Sequence, residues 1–196
     1  MIPSIGEPAR PLRLRSAQGS EVTLEDYRGR TTVILWFTKG MACAFCRQHM
    51  SQLARVYPDI RKRGAEILQV TPSPLDRAQL YARRFKLPFP YLCDPAHEAW
   101  QTWGLARRSH GPLYYAKALL TGLTESKPPN DFGDFGPSVS EIPSLLVDDD
   151  MGFFVIDRAG VVRYALAGSY IAGAGVRSIP GPDDVMRLVE GSTTAA

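Results

Sequence analysis

The chain has 196 residues, 44% of them hydrophobic, which is enough for one domain with its own core and no disulfide scaffold. Its net charge of +3 comes from 23 basic and 20 acidic residues scattered along the chain, without the basic stripe of a nucleic-acid binder. No apolar run approaches the roughly 20 residues that span a bilayer, so membrane insertion is not expected either.

In chain order, Leu12 to Leu24 reads as two short strands around Gln18-Gly19-Ser20, an N-terminal hairpin, followed by a single turn at Thr23 to Tyr27. Thr31 to Phe37 is a continuous apolar run with branched and aromatic residues, the pattern of a strand covered on both faces. From Cys43 to Arg63, residues Phe45, Met50, Leu53, Val56, Tyr57 and Ile60 recur at helical spacing, with Pro58 expected to kink or divide the helix. Gly64 ends it, and Ala65 to Thr71 reads as the next, parallel strand of a right-handed crossover unit.

A second helix is expected over Pro74 to Lys86 and a short strand over Pro90 to Cys93. Asp94 and Pro95 then open a helix that runs to Trp103 before Gly104. Residues 107 to 150 carry mixed signals: a helical pattern at Leu113 to Leu123, a Pro- and Gly-rich stretch at Ser126 to Ser138, and the acidic run Asp148-Asp149-Asp150. They read as an insertion in one domain spanning 1–196. Phe153 to Ile156 and Val161 to Leu166 flank Asp157-Arg158-Ala159-Gly160 as a hairpin, and a helix from Pro182 to Val189 closes the pattern.

The chemistry-bearing pair is Cys43 and Cys46, directly after a buried strand and at the head of a helix. There, unpaired amide N–H groups and the helix dipole favour a thiolate. Lys39 and Arg47 beside the pair are expected to push the same way, and Trp36 lies at the end of the preceding strand. Two residues between the cysteines place both sulfurs on one helical turn, so a dithiol and disulfide cycle is available. The alternatives are a structural zinc half-site, which lacks a second CxxC or an HxxxH, and two buried inert thiols. No metal or cofactor is expected. Cys93, apolar-flanked, reads as core before it reads as a resolving thiol; His49 could tune the site, while His97 and His110 show no partner. Trp103, Tyr114 and Tyr115 read as packing or interface residues before anything else. Three cysteines, and an opening Met1 to Pro11 without a basic or apolar leader region, point to intracellular thiol chemistry in the cytoplasm.

The segments Ile5 to Phe37 and Phe37 to Leu53 (FTKGMACAFCRQHMSQL) resemble, in order, the opening and the Phe-x-Arg-Gly-x-x-Cys-Pro-x-Cys motif of the peroxiredoxin-like branch of the redoxin families. These are related to alkyl hydroperoxide reductase and thiol-specific antioxidant proteins. Arg63 to Ser73, Leu87 to Leu105 and Gly152 to Tyr170 are similar to that family's later elements. The resemblance implies an α/β fold: a thioredoxin-like three-layer α/β/α sandwich around a central mixed sheet. It also implies an antioxidant enzyme that reduces hydrogen peroxide or organic hydroperoxides, is reset by a thioredoxin- or glutathione-type reductant, and often pairs as a homodimer.

Lys39 stands where the family motif has arginine and Ala44 where it has proline. Cys43 takes the place of the peroxiredoxin threonine, and Asp149 to Gly152 hold no arginine. Thioredoxin-type proteins place a cis-proline opposite the dithiol; the matching place is Met151 or Gly152, with Ile142-Pro143 several residues earlier. The thioredoxin pattern assigns attack to Cys43 and the peroxiredoxin pattern to Cys46. The reading leans to Cys43 attacking and Cys46 resolving. A protein disulfide oxidoreductase, or a non-catalytic redox sensor or binding module using Tyr114, Tyr115, Phe132 and Phe135, are the alternatives.

Overall fold

The computed structural model describes residues 1–108, 111, 113, 130–133, 147–169 and 179–193. Among them, β3 (Thr32–Phe37) and β4 (Ala65–Thr71) form the parallel centre of an eight-stranded mixed sheet, every residue of both strands buried. Their unbroken apolar runs follow from cover on both faces. β5 (Tyr91–Cys93) continues the parallel set beyond β4. On the other side β7 (Asp148–Ile156) lies antiparallel to β3 and carries β8 (Val162–Ser169) and the two-residue β6 (Arg107–Arg108).

The N-terminal hairpin is present as β1 (Arg13–Ser16) and β2 (Glu21–Thr23), and it extends the sheet beyond β5. Its turn is tied to β5 by Gln18, whose side-chain oxygen accepts from Tyr91 N at 3.1 Å and whose amide donates to Phe89 O at 3.0 Å. The 3-10 turn Leu24–Tyr27 is closed by a capping box between Thr23 and Asp26.

The period-two alternation of the strands sorts the core into two slabs. Ile34, Trp36, Ile67, Met151, Phe153 and Val155 face α1 (Ala44–Lys62), α2 (Leu75–Phe85) and α4 (Pro182–Thr193). Val33, Leu35, Phe37, Leu68, Val70 and Phe154 face the short α3 (Glu98–Thr102), where Trp100 and Trp103 are buried. The strand order β5-β4-β3 steps in one direction, so two crossovers of one hand place α1 and α2 on the same face. The expected three layers are therefore present, one thick and one thin.

Three expectations are revised. α1 runs unbroken through Pro58, which is exposed. The helix expected from Pro95 starts only at Glu98. Asp94 caps it from outside, accepting from Glu98 N at 2.9 Å and Trp100 N at 3.1 Å, while His97 takes a left-handed φ of 57°.

The acidic run Asp148-Asp149-Asp150, expected in the insertion, is the buried start of β7. Ser169 Oγ donates to Asp148 at 2.6 Å, Arg107 Nε lies 3.3 Å from Asp149, and Arg108 pairs with Asp150 through both guanidinium edges. Trp100 Nε1 donates to the carbonyl of Asp150 at 2.9 Å, tying β7 to α3. Of the remaining 107–150 stretch, the described residues Asn130 to Gly133 sit over α1 and α2. Arg55 pairs with Asp131, whose N–H donates to Ser51 Oγ at 2.8 Å, and Phe132 packs on Phe85. The helix expected from Leu113, and Tyr114, Tyr115, Phe135, His110 and Ile142-Pro143, lie outside the described residues. Among those described, no helix is long and apolar enough to cross a membrane.

Among the described residues, Arg108→Ala leaves the largely buried Asp150 carboxylate with the Ala106 N–H as its one remaining hydrogen-bond donor. The expected loss is about 1–3 kcal/mol, read as a fall in thermal midpoint of about 2–4 °C per kcal/mol in a chain of this size.

Candidate active site

The site grows from the carboxyl ends of β3 and β4, where a parallel α/β sheet leaves a crevice. β3 ends in Phe37, and the chain turns back through Thr38 and Lys39 into a 3-10 turn, Gly40–Ala42, before α1. Thr38 Oγ1 accepts from Gly40 N at 2.9 Å and from Gln69 Nε2 of β4 at 2.8 Å. Gly40 has φ of 73°, and a Cβ there would stand 2.3 Å from both Thr71 Oγ1 and Tyr91 Oη. Only glycine fits, because the turn is pressed against the strand ends below it.

Cys43 is the N-cap of α1, with extended backbone (φ −86°, ψ 120°) and its Sγ accepting from Cys46 N at 3.4 Å. N-caps are ordinarily oxygen acceptors; here sulfur takes the role, and it accepts best as a thiolate. The Cys43 thiol is lowered from 9.0 to about 7. The largest cause is a hydrogen bond from the Cys46 side chain, followed by opposition from burial, then by the backbone N–H of Cys46, the charge of Lys39 and the backbone N–H of Phe45. Cys43 is half-buried and Cys46 fully buried, so the residue whose thiol is lowered is also the one nearer the surface. All three cysteines are thiols in this structure.

Lys39 is buried, donates to the carbonyl of Val147, and is the cation that acts on Cys43. Arg47 is also buried, and its Nη1 donates to Met41 O at 2.7 Å, so it braces the turn that leads to the dithiol. Trp36 lies fully buried beneath α1, edge-on to Phe153 with ring centroids 6.1 Å apart. Met151 pairs with Gly168 in the β7–β8 ladder and packs in the same core slab as Cys46.

Cys93 is core: burial pushes its thiol up to about 11, the opposite of an activated sulfur. His49 shares its Nδ1 with Phe45 O at 3.1 Å, and burial lowers its pKa, favouring the neutral ring. His97, partnerless in sequence, sits 3.8 Å from the buried Asp149 carboxylate and against the Trp100 ring.

Sequence reading missed the polar floor of the site: Thr71, Ser73 and Tyr91. Thr71 and Ser73 hydroxyls are 3.0 Å apart, and Tyr91 Oη accepts from Met41 N at 3.1 Å. The available signal was position, since Thr71 and Ser73 stand at and just past the end of a parallel strand beside the one that leads to the cysteines.

A half-buried thiolate capping a helix at the edge of a mixed sheet, with a second thiol one turn on, defines a thioredoxin-like thiol protein. The chain belongs to the AhpC/TSA family, whose model matches residues 5–165. It is 31% identical over 111 residues to the thiol-disulfide oxidoreductase ResA of Geobacillus thermodenitrificans, covering 56% of this chain and 60% of that protein. It is 24% identical over 108 residues to the chloroplastic peroxiredoxin Q of Sedum lineare, covering 55% and 58%. The matches thus span little more than half the length of these curated relatives. The fold is similar to the crystal structure of peroxidoxin BcpB from Mycobacterium tuberculosis, with a TM-score of 0.62, 15% identity, and 95% of this chain and 96% of that chain covered.

The pH profile of Cys43 alkylation, followed by mass, is expected to rise with a midpoint near 7, because the thiolate is the reactive form. Cys46→Ala removes the leading donor and is expected to move the midpoint upward more than Lys39→Met does; a larger shift in the lysine variant would reverse that order of causes.

Proposed function

We propose that the protein is a two-cysteine thiol oxidoreductase in which Cys43 attacks and Cys46 resolves. The observation that carries this reading is the asymmetry of the pair at the head of α1: Cys43 is the less buried residue and its thiol is lowered to about 7, and Cys46 is buried one turn behind it, close enough to donate to it. With a hydroperoxide as oxidant, the Cys43 thiolate attacks the terminal peroxide oxygen. The O–O bond breaks, water or an alcohol leaves after taking up a proton, and Cys43 becomes a sulfenic acid. The Cys46 thiol then displaces hydroxide from that sulfur, forming the disulfide and a second water. A thioredoxin- or glutathione-type dithiol or thiol resets the pair in a reducing, cytoplasm-like setting. Support comes from membership of the AhpC/TSA family and the peroxiredoxin relatives.

A second reading is supported by the ResA relative and by Cys43 standing as the N-terminal, less buried member of the pair: the oxidant is a protein disulfide, attacked by the same thiolate through a mixed disulfide. Both readings use the same two sulfurs and differ in the partner that Cys43 meets.

Fully reduced protein is expected to consume hydrogen peroxide or cumene hydroperoxide much faster than free cysteine at equal thiolate, losing about 2 Da as the disulfide closes. Cys43→Ser abolishes the reaction, and Cys46→Ser halts it at a trappable sulfenic acid. A peroxide rate no better than free thiol, with rapid reduction of insulin disulfides, moves the function to disulfide exchange; neither reaction contradicts both readings.

A further inference from the structure

The backbone of Met41 is held at both its N–H and its C=O by buried side chains. Its N–H donates to Tyr91 Oη at 3.1 Å and its C=O accepts from Arg47 Nη1 at 2.7 Å. Tyr91 is fully buried and Arg47 nearly so. Tyr91 is in turn fixed at its own backbone, where Gln18 accepts from its N–H at 3.1 Å and its carbonyl accepts from Ala17 N at 2.8 Å. Its hydroxyl shares hydrogen bonds with Thr71 and Ser73 and lies within electrostatic reach of Cys46.

One residue, Ala42, separates Met41 from Cys43. Whether Cys43 Sγ meets the first amides of α1 depends on how the turn delivers the chain into the helix, and Gly40 has no room to shift toward the floor. A phenol is a costly group to bury at full depth, and here its oxygen accepts from a backbone N–H of the turn, that of Met41.

Resting on the dithiol reading above, we infer that Tyr91 at the Met41 N–H, with Arg47 at the Met41 carbonyl, is a positioning residue that holds the Gly40–Ala42 turn so that Cys43 caps α1 with its sulfur. Neither residue touches the reacting atoms. Tyr91 works through Met41 from β5, a strand held between β4 and the N-terminal hairpin, so the hairpin is linked to the active site through this hydroxyl.

The test is the pH dependence of Cys43 alkylation by iodoacetamide in the full reduced chain, mapped by peptide mass, for wild type, Tyr91→Phe, Arg47→Met and Tyr57→Phe. Tyr57 is a control: its hydroxyl donates to Glu66 at 2.8 Å, away from the turn. Tyr91→Phe is expected to raise the midpoint by about 0.5 to 1 unit, cutting the rate at pH 7 about two- to fivefold, with Arg47→Met shifting it in the same direction. Tyr57→Phe lowers thermal stability and leaves the midpoint in place. Should Tyr91→Phe fail to fold, Arg47→Met reads the carbonyl of the same residue. A folded Tyr91→Phe or Arg47→Met with the wild-type midpoint overturns the inference alone. An ordinary wild-type midpoint of about 8.5 overturns the dithiol reading and the inference with it.

Discussion

The 3.4 Å contact between Cys43 Sγ and the amide of Cys46 is a helix cap, and it is also the chemistry. An α-helix leaves its first N–H groups without partners, and the chain must supply an acceptor before α1 can end cleanly. Supplying a sulfur couples the helix terminus to the ionisation of a thiol, because a thiolate is the better acceptor. Whatever holds the start of α1 in place therefore also holds the nucleophile in its reactive form. Stabilising the thiolate stabilises the reduced dithiol relative to the disulfide, so the same contact biases the pair toward acting as an oxidant once its disulfide has formed.

The sheet makes that contact reproducible. β3 and β4 are buried on both faces and end side by side, so Thr38, Gln69 and Thr71 converge under the turn that precedes Cys43. β5 adds Tyr91 from the next position. On the other flank, β7 begins with three carboxylates, of which Asp149 and Asp150 face Arg107 and Arg108 and Asp148 accepts a hydrogen bond from Ser169, and Lys39 reaches the carbonyl of Val147 just before them. Charge that would be costly in a central strand is thereby matched locally, and the basic side chain beside Cys43 is anchored to the same strand.

Much of this was legible in the sequence because the signals were local. The apolar run ending at Phe37, the stripe from Phe45 to Ile60, the glycines at 64 and 160 and the spacing of Cys43 and Cys46 each depend on neighbours along the chain. What escaped depends on neighbours in space. Asp148 to Asp150 look like a loop until Arg107 and Arg108 are laid beside them. Pro58 looks like a break until it is seen on the exposed side of an unbroken α1. Tyr91 looks like an ordinary strand residue until the Met41 amide is seen to need an acceptor. Arg47 was expected to act on the sulfur as a charge, and the fold turns it to a backbone carbonyl.

The most direct test of the account is competitive labelling of the fully reduced protein with substoichiometric iodoacetamide at pH 7, followed by peptide mapping of the three cysteines. Cys43 is expected to carry nearly all of the label, with Cys46 and Cys93 essentially unmodified, since one is buried behind it and the other has its thiol pushed up to about 11. Label appearing first on Cys46, or equally on all three, would contradict a sulfur-capped helix as the source of reactivity.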